Sequence, residues 1–189
     1  MSEPGGRPPA PGTLAVVQAF VNTFDLEDDE DDLTDPDALT AWLRARELLD
    51  DNVRADRVDL DCARAVREAL RDLAAAHNDL PADADAAAEE LNRAAARARL
   101  APRLDATGAS RLVPEAGGVD AALGKIVAAV HEAVNDGTWL RLKACERGHC
   151  RWAFYDASRN RSGRWCSMTV CGSREKSQRA YRRTRLQPD

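Results

Sequence analysis

The sequence is short of aromatic rings, sulfur and long apolar runs. Phe, Trp and Tyr make up 5% of 189 residues, with two Met, three His and five Cys. So few rings argue against a thick β-sandwich core. The 44% of hydrophobic residues is dominated by alanine, which suits closely packed helices. No stretch approaches the roughly 18 consecutive apolar residues of a membrane-spanning helix, so no membrane association is expected. The opening MSEPGGRPPAPG has one arginine and no apolar segment, unlike an export signal. Its Pro and Gly content marks residues 1–12 as a disordered lead. The expected compartment is therefore cytoplasmic and reducing, where paired cysteines serve metals rather than disulfides. Enzyme signatures are missing too. There is no G-x-S-x-G, no H-E-x-x-H and no Gly-rich phosphate loop, and the chain is not expected to be an enzyme.

What is present is unevenly spread. The net charge of −5 conceals 14 Lys/Arg against 28 Asp/Glu in residues 1–140, and 13 against 4 in residues 141–189. A sign split of this kind predicts two modules with different partners.

The acidic half reads as helices. TLAVVQAFVNTF (13–24) is apolar and partly β-branched, and fits either a strand or a first helix. Nine acids follow between Asp25 and Asp37. They lack the glycine and ligand spacing of a calcium loop and read as a solvated loop. Asp35–Pro36 is an N-cap and N1 pair, with Leu39, Trp42, Leu43 and Leu49 at helical spacing. A second helix starts near Asp59, places Ala63, Val66, Leu70, Leu73 and His77 on one face, and stops before Pro81. A third covers 83–100, and the segment around Thr107–Gly108 is a hairpin or a loop. A fourth begins after Gly118, turns Val119, Leu123, Ile126, Val127, Val130 and Val134 inward, and closes at Asp136–Gly137. Residues 13–137 thus form a helical domain. In it Cys62 is a small buried hydrophobe, and His77 and His131 are core or boundary histidines. A polar Asn22-Thr23-x-Asp25 after the apolar run is a candidate pocket for a small ligand or a protein partner; capping of the first helix is the plainer alternative.

The basic half holds four of the five cysteines in CERGHCRWAFYDASRNRSGRWCSMTVC. Cys145 and Cys150, then Cys166 and Cys171, form two C-x4-C pairs with fifteen residues between them. WLRLKAC alternates as a strand, with Leu140 and Leu142 opposed to Arg141 and Lys143. Gly148 suits a tight turn between two sulfurs, RWAFYD is a second strand, and REKSQRAYRRTR is a terminal helix. About 45 residues with so few large apolar groups need a metal to fold. Four thiolates around Zn²⁺ would supply it, with His149 as a competitor for Cys150. The expected architecture is mainly α: a helical N-terminal domain followed by a small α+β zinc finger over 138–189.

FYDASRNRSGRWCSMTVCGSREKSQRAYRRTR, together with Cys145 and Cys150, resembles the CGNR zinc finger of bacterial proteins. The matching residues are Phe154, Asp156, Ser158, Arg159, Asn160, the run Arg164–Met168, the run Cys171–Arg174, and Lys176. Ser173 stands where the family has its name-giving asparagine, and serine can cap the last helix. In that family the finger follows a helical domain called ABATE, which FVNTFD (Phe20–Asp25) and DPDALTAWLRARELL resemble. The resemblance implies a stress-linked transcriptional role, with DNA as partner. The candidate nucleic-acid contacts are Arg159, Arg161 and Arg164 on the loop and Arg174, Lys176, Arg179, Arg182 and Arg183 on the last helix. Trp152, Phe154, Trp165 and Tyr181 read as the finger's own core rather than base-stacking platforms. A homodimer would match palindromic DNA, although no heptad marks one. The alternative is a zinc-stabilised module that binds RNA or protein.

Overall fold

The first apolar run is a helix. In the computed structural model, which describes residues 7–185 apart from the side chains of 179, 180 and 182–185, α1 spans Leu14–Val21. Valines favour strands, but burial on nearly every side decides here. Leu14, Val17, Phe20 and Val21 are all at most 1% exposed. Gln18 is buried with them, and its side-chain carbonyl accepts a 2.7 Å bond from the Ala10 amide. That bond corrects part of the expected disordered lead. Ala10 is buried, and the Arg7 guanidinium sits 4.5 Å from the centre of the Phe154 ring. Residues 1–6 lie outside the described residues.

After α1 the acidic run folds back on itself. β1 (Phe24–Asp25) pairs antiparallel with β2 (Glu30–Asp31), so the expected solvated loop is a tight hairpin that is exposed from Leu26 through Glu30. α2 (Pro36–Arg44) starts as expected: the Asp35 carboxylate accepts from the Ala38 amide at 2.8 Å, with proline at N1. Leu49 lies beyond this helix yet is buried. α3 (Arg57–Ala76) begins two residues before the expected Asp59, at a capping box between Asp56 and Asp59. α4 (Ala84–Arg97) is capped by Asp83. β3 (Leu100–Leu104) and β4 (Ser110–Pro114) form a five-pair hairpin closed at Gly108, φ +82°. α5 (Gly118–Asn135) returns across α4 and α1 and ends at Gly137, φ +76°. Its inward face is Val119, Ala122, Leu123, Ile126, Ala129 and Ala133. Val134, one step off that stripe, is 54% exposed, against the sequence expectation. Gly124 lets α5 approach the end of α4 closely: a Cβ there would lie 2.4 Å from the Ala98 Cβ.

The chain then makes a single 3-10 turn, Trp139–Arg141, and enters β5 (Leu142–Ala144), paired antiparallel with β6 (Ala153–Tyr155). The expected alternation fails here. Leu140 is exposed on the turn, whereas Lys143 is 6% exposed, because β5 lies against α3 and is covered on both faces. A wide turn over Met168–Gly172, closed by the Gly172 amide on the Ser167 carbonyl, leads into α6 (Ser173–Arg185). The molecule is mainly α, with a small strand-containing C-terminal unit.

Candidate metal centre and its surroundings

Two short turns present the four thiols. In the first, the Cys150 and Arg151 amides both donate to the Arg147 carbonyl, and Arg151 takes the left-handed conformation, φ +49°. Gly148 lies inside this turn, as expected, but the turn does not require glycine: its φ is not left-handed and a Cβ there would meet nothing within 4 Å. In the second, the Ser167 hydroxyl accepts from the Val170 amide at 3.2 Å. The four sulfurs lie within 4.8 Å of one another, all buried. Cys150–Cys166 is 3.6 Å and Cys166–Cys171 is 3.5 Å. These are far from the roughly 2.05 Å of a disulfide and close to the edge of about 3.8 Å of a tetrahedron with 2.3 Å metal–sulfur bonds.

The donor set fits a metal ion. Amides of Arg147 and Cys166 point at the Cys145 sulfur, and that of Trp152 at Cys150. Hydrogen bonds from Cys150 and Cys166 drive the Cys145 thiol far down. The same contacts push Cys150 and Cys166 up, and burial raises Cys171. Four buried thiols therefore cannot all ionise alone, and a cation at their centre would remove the conflict. His149 is exposed and outside the cluster. Trp152 and Phe154 are buried beside the thiols and Trp165 packs on them, but Tyr181 is 63% exposed and lies in no apolar cluster of the described residues, which corrects its expected place.

The loop between the pairs is built on Asp156. Its carboxylate is fully buried and accepts from the Ser158 amide (3.1 Å), the Gly163 amide (2.7 Å) and the Lys143 ammonium (3.3 Å). Burial alone would raise its pKa; these bonds outweigh burial and hold it down at about 2. Gly163 is required, because a Cβ would lie 2.8 Å from that carboxylate.

Residues 14–137 match the sequence model of the ABATE family, described as "putative stress-induced transcription regulator". The chain belongs to the ABATE family. Residues 141–184 match the CGNR zinc finger, and no curated protein matches the chain.

In this ABATE protein the helical body and the finger share a core. Trp139, Leu142 and Ala153 belong to the same apolar cluster as Val17, Phe20, Leu70 and Ile126. The seam is polar as well as apolar. Asn22 reaches from the end of α1 to β6: its amide donates to the Ala153 carbonyl at 2.9 Å, and its carbonyl accepts from the Ala153 amide at 2.8 Å. β5 uses the alternate groups, since Cys145 bonds Trp152 and Asp156 bonds Arg141. One side-chain amide thus completes the free edge of a strand. Arg71, 3% exposed, donates to the carbonyls of Val21, Phe24 and Arg151. His77 bonds the Leu142 carbonyl and meets Trp139 edge-on, a satisfied boundary histidine.

These contacts overturn the candidate pocket. Asn22 is spent on β6. The Thr23 hydroxyl donates to the Phe20 carbonyl and accepts from Arg67. Asp25 accepts from the Glu27 and Asp28 amides. A polar cluster after an apolar run reads alike whether it faces a ligand or another part of the chain.

The basic candidates divide. Arg159, Arg161 and Lys176 are exposed with no ion-pair partner among the described residues. Arg164 pairs with Glu146, and Arg174 with Glu27. The side chains of Arg179, Arg182 and Arg183 lie outside the described residues, on the backbone of α6. Ser173 does not cap α6 through its hydroxyl, which donates back to the Met168 carbonyl at 3.3 Å. The sequence reading missed Lys143 and Arg147. Among the described residues no helix is long and apolar enough to cross a membrane.

Proposed function

We propose that this protein is a zinc-dependent, DNA-binding transcription regulator that works in the cytoplasm and is not an enzyme. One observation carries the reading: Arg159, Arg161 and Lys176 stand exposed, with no ion-pair partner among the described residues, on the basic segment that carries the four thiols, while the rest of the chain is acidic. Zn²⁺ is the ion that four buried thiolates with tetrahedral spacing suit best. Such a site is closed and leaves no open position for a substrate. The ion would fix the two turns, and with them the loop and the start of α6. Phosphates held by those cations give affinity, and arginines on base edges give sequence choice.

The test is selection of bound fragments from random duplex DNA at about 150 mM salt, with metal-quantified protein. That salt suppresses nonspecific phosphate binding. An enriched sequence that disappears in Cys166→Ser supports the reading. No enrichment, with one zinc per chain, refutes it in favour of an RNA- or protein-binding module. The salt dependence then counts contacts. A log–log slope of about −3 matches the three described free cations, and one of about −5 adds Arg179, Arg182 and Arg183.

A further inference from the structure

Glu27, in the turn of the β1–β2 hairpin, is held by two arginines of the finger. Arg147 donates to one carboxylate oxygen at 2.6 Å, and Arg174 to the other. They reach it across 120 and 147 residues of chain, from different turns of the metal cluster. Arg147 lies between Cys145 and Cys150; Arg174 follows Cys171 at the start of α6. Whatever holds the four thiols therefore sets the gap between the two guanidiniums.

Two guanidiniums of the finger share one carboxylate, and Arg147 also lies against the Cys171 sulfur. The pair also opens onto a cavity of about 480 Å³, bordered by Gly148, His149 and Gln178, with Glu175 as its acidic member. A carboxylate and a phosphodiester present the same pair of acceptor oxygens to an arginine fork, and arginine takes both in two-pronged fashion.

We propose that Arg147 and Arg174 form a phosphate-binding pincer on the finger, and that Glu27 occupies it until the phosphodiester backbone of a nucleic acid displaces it. The proposal rests on the nucleic-acid reading above and adds to it a site, a residue (Arg147) and an internal competitor. Glu27 lies outside the apolar core, so its release costs the fold only the two ion pairs. The acidic body thereby sets the threshold for binding by the basic finger.

The experiment measures affinity of the full-length, zinc-loaded chain for a random-sequence duplex of about 20 base pairs at low salt. Glu27→Gln removes the competitor. Glu30→Gln makes the same charge change in the same hairpin, at an exposed carboxylate with no ion pair among the described residues. Each exposed pair being worth a few tenths to one kcal/mol, Glu27→Gln should tighten binding about three- to tenfold, and Glu30→Gln less than twofold. The gain should vanish when Arg147→Gln and Arg174→Gln are added. Binding by Glu27→Gln alone among the variants also supports the pincer. If the wild type binds and the two glutamate variants match, the pincer is overturned while the nucleic-acid reading stands. If no variant binds, both fall. Zinc content is measured for every variant; should the double arginine change release metal, the glutamate comparison, which alters no finger residue, decides.

Discussion

Asn22→Ala is the sharpest probe of how the finger is mounted. The side chain is 5% exposed and makes two bonds to one residue, donating at 2.9 Å and accepting at 2.8 Å. Truncation leaves the buried N–H and C=O of Ala153 without those partners, and no neighbouring backbone can replace them because β5 bonds the alternate groups. A buried polar group left unmade costs about 1–3 kcal/mol. Allowing for some water entry at two such groups, the loss should be about 2–4 kcal/mol, or roughly 4–16 °C in a chain of this size. Asn22→Asp should cost at least as much at pH 7, since it turns a carboxylate toward the Ala153 carbonyl. The assay is urea unfolding at saturating zinc, followed by tryptophan fluorescence and far-ultraviolet dichroism together. Both signals should move by the same amount in one transition, because Trp139 lies in the core that body and finger share, and Trp152 lies in the thiol cluster next to Ala153, which belongs to that core. A shift below about 0.5 kcal/mol would refute the clamp. Fluorescence moving while helicity stays put would refute the shared core.

Three further outcomes follow from the packing and charges. Gly124→Ala should cost more than about 2 kcal/mol by forcing α5 off the end of α4, while Gly148→Ala, with nothing within 4 Å and an ordinary φ, should change stability little; paired thermal melts at saturating zinc decide. Asp156 has a pKa held at about 2 against an ordinary 3.8, so its contribution is full above pH 3.8 and fades as pH falls toward 2. Asp156→Asn should cost about 2 kcal/mol at pH 7, and the gap to wild type should narrow below pH 4; comparing the two proteins at each pH cancels titration of the thiols. Metal titration should show one ion per reduced chain. Free zinc at a hundred times its dissociation constant should add about 2.7 kcal/mol over the metal-free chain, an increment that Cys166→Ser should abolish.

Much of the fold is legible because its signals are local. Asp35–Pro36, Asp83 and Gly137 each act within one helical turn and stand where local rules put them. The thiol pairs are equally plain, since matched spacing of a scarce residue survives any change in what surrounds it. What escaped is set by distant chain. Lys143 looks like an outward strand residue until α3 covers one face of β5 and Asp156 draws in its ammonium. Arg67 and Arg71 sit at inward positions of α3 that no apolar pattern marks, each buried because backbone or carboxylate oxygens elsewhere need a donor. Asn22 carries the same lesson: its partner is 131 residues away, and nothing beside it in the sequence distinguishes a clamp from a pocket.

That separation has a consequence in time. A ribosome adds about 5–20 residues per second, so Asn22 emerges about 7–26 s before Ala153 exists to meet it. Through that interval α1 must wait with its polar end unmatched, and Glu27 lacks the two arginines of the finger, although Arg64 and Arg67 of α3 already pair with Asp31. The body of the protein is therefore completed only once β5 and β6 exist, and its closure waits on the arrival of the finger.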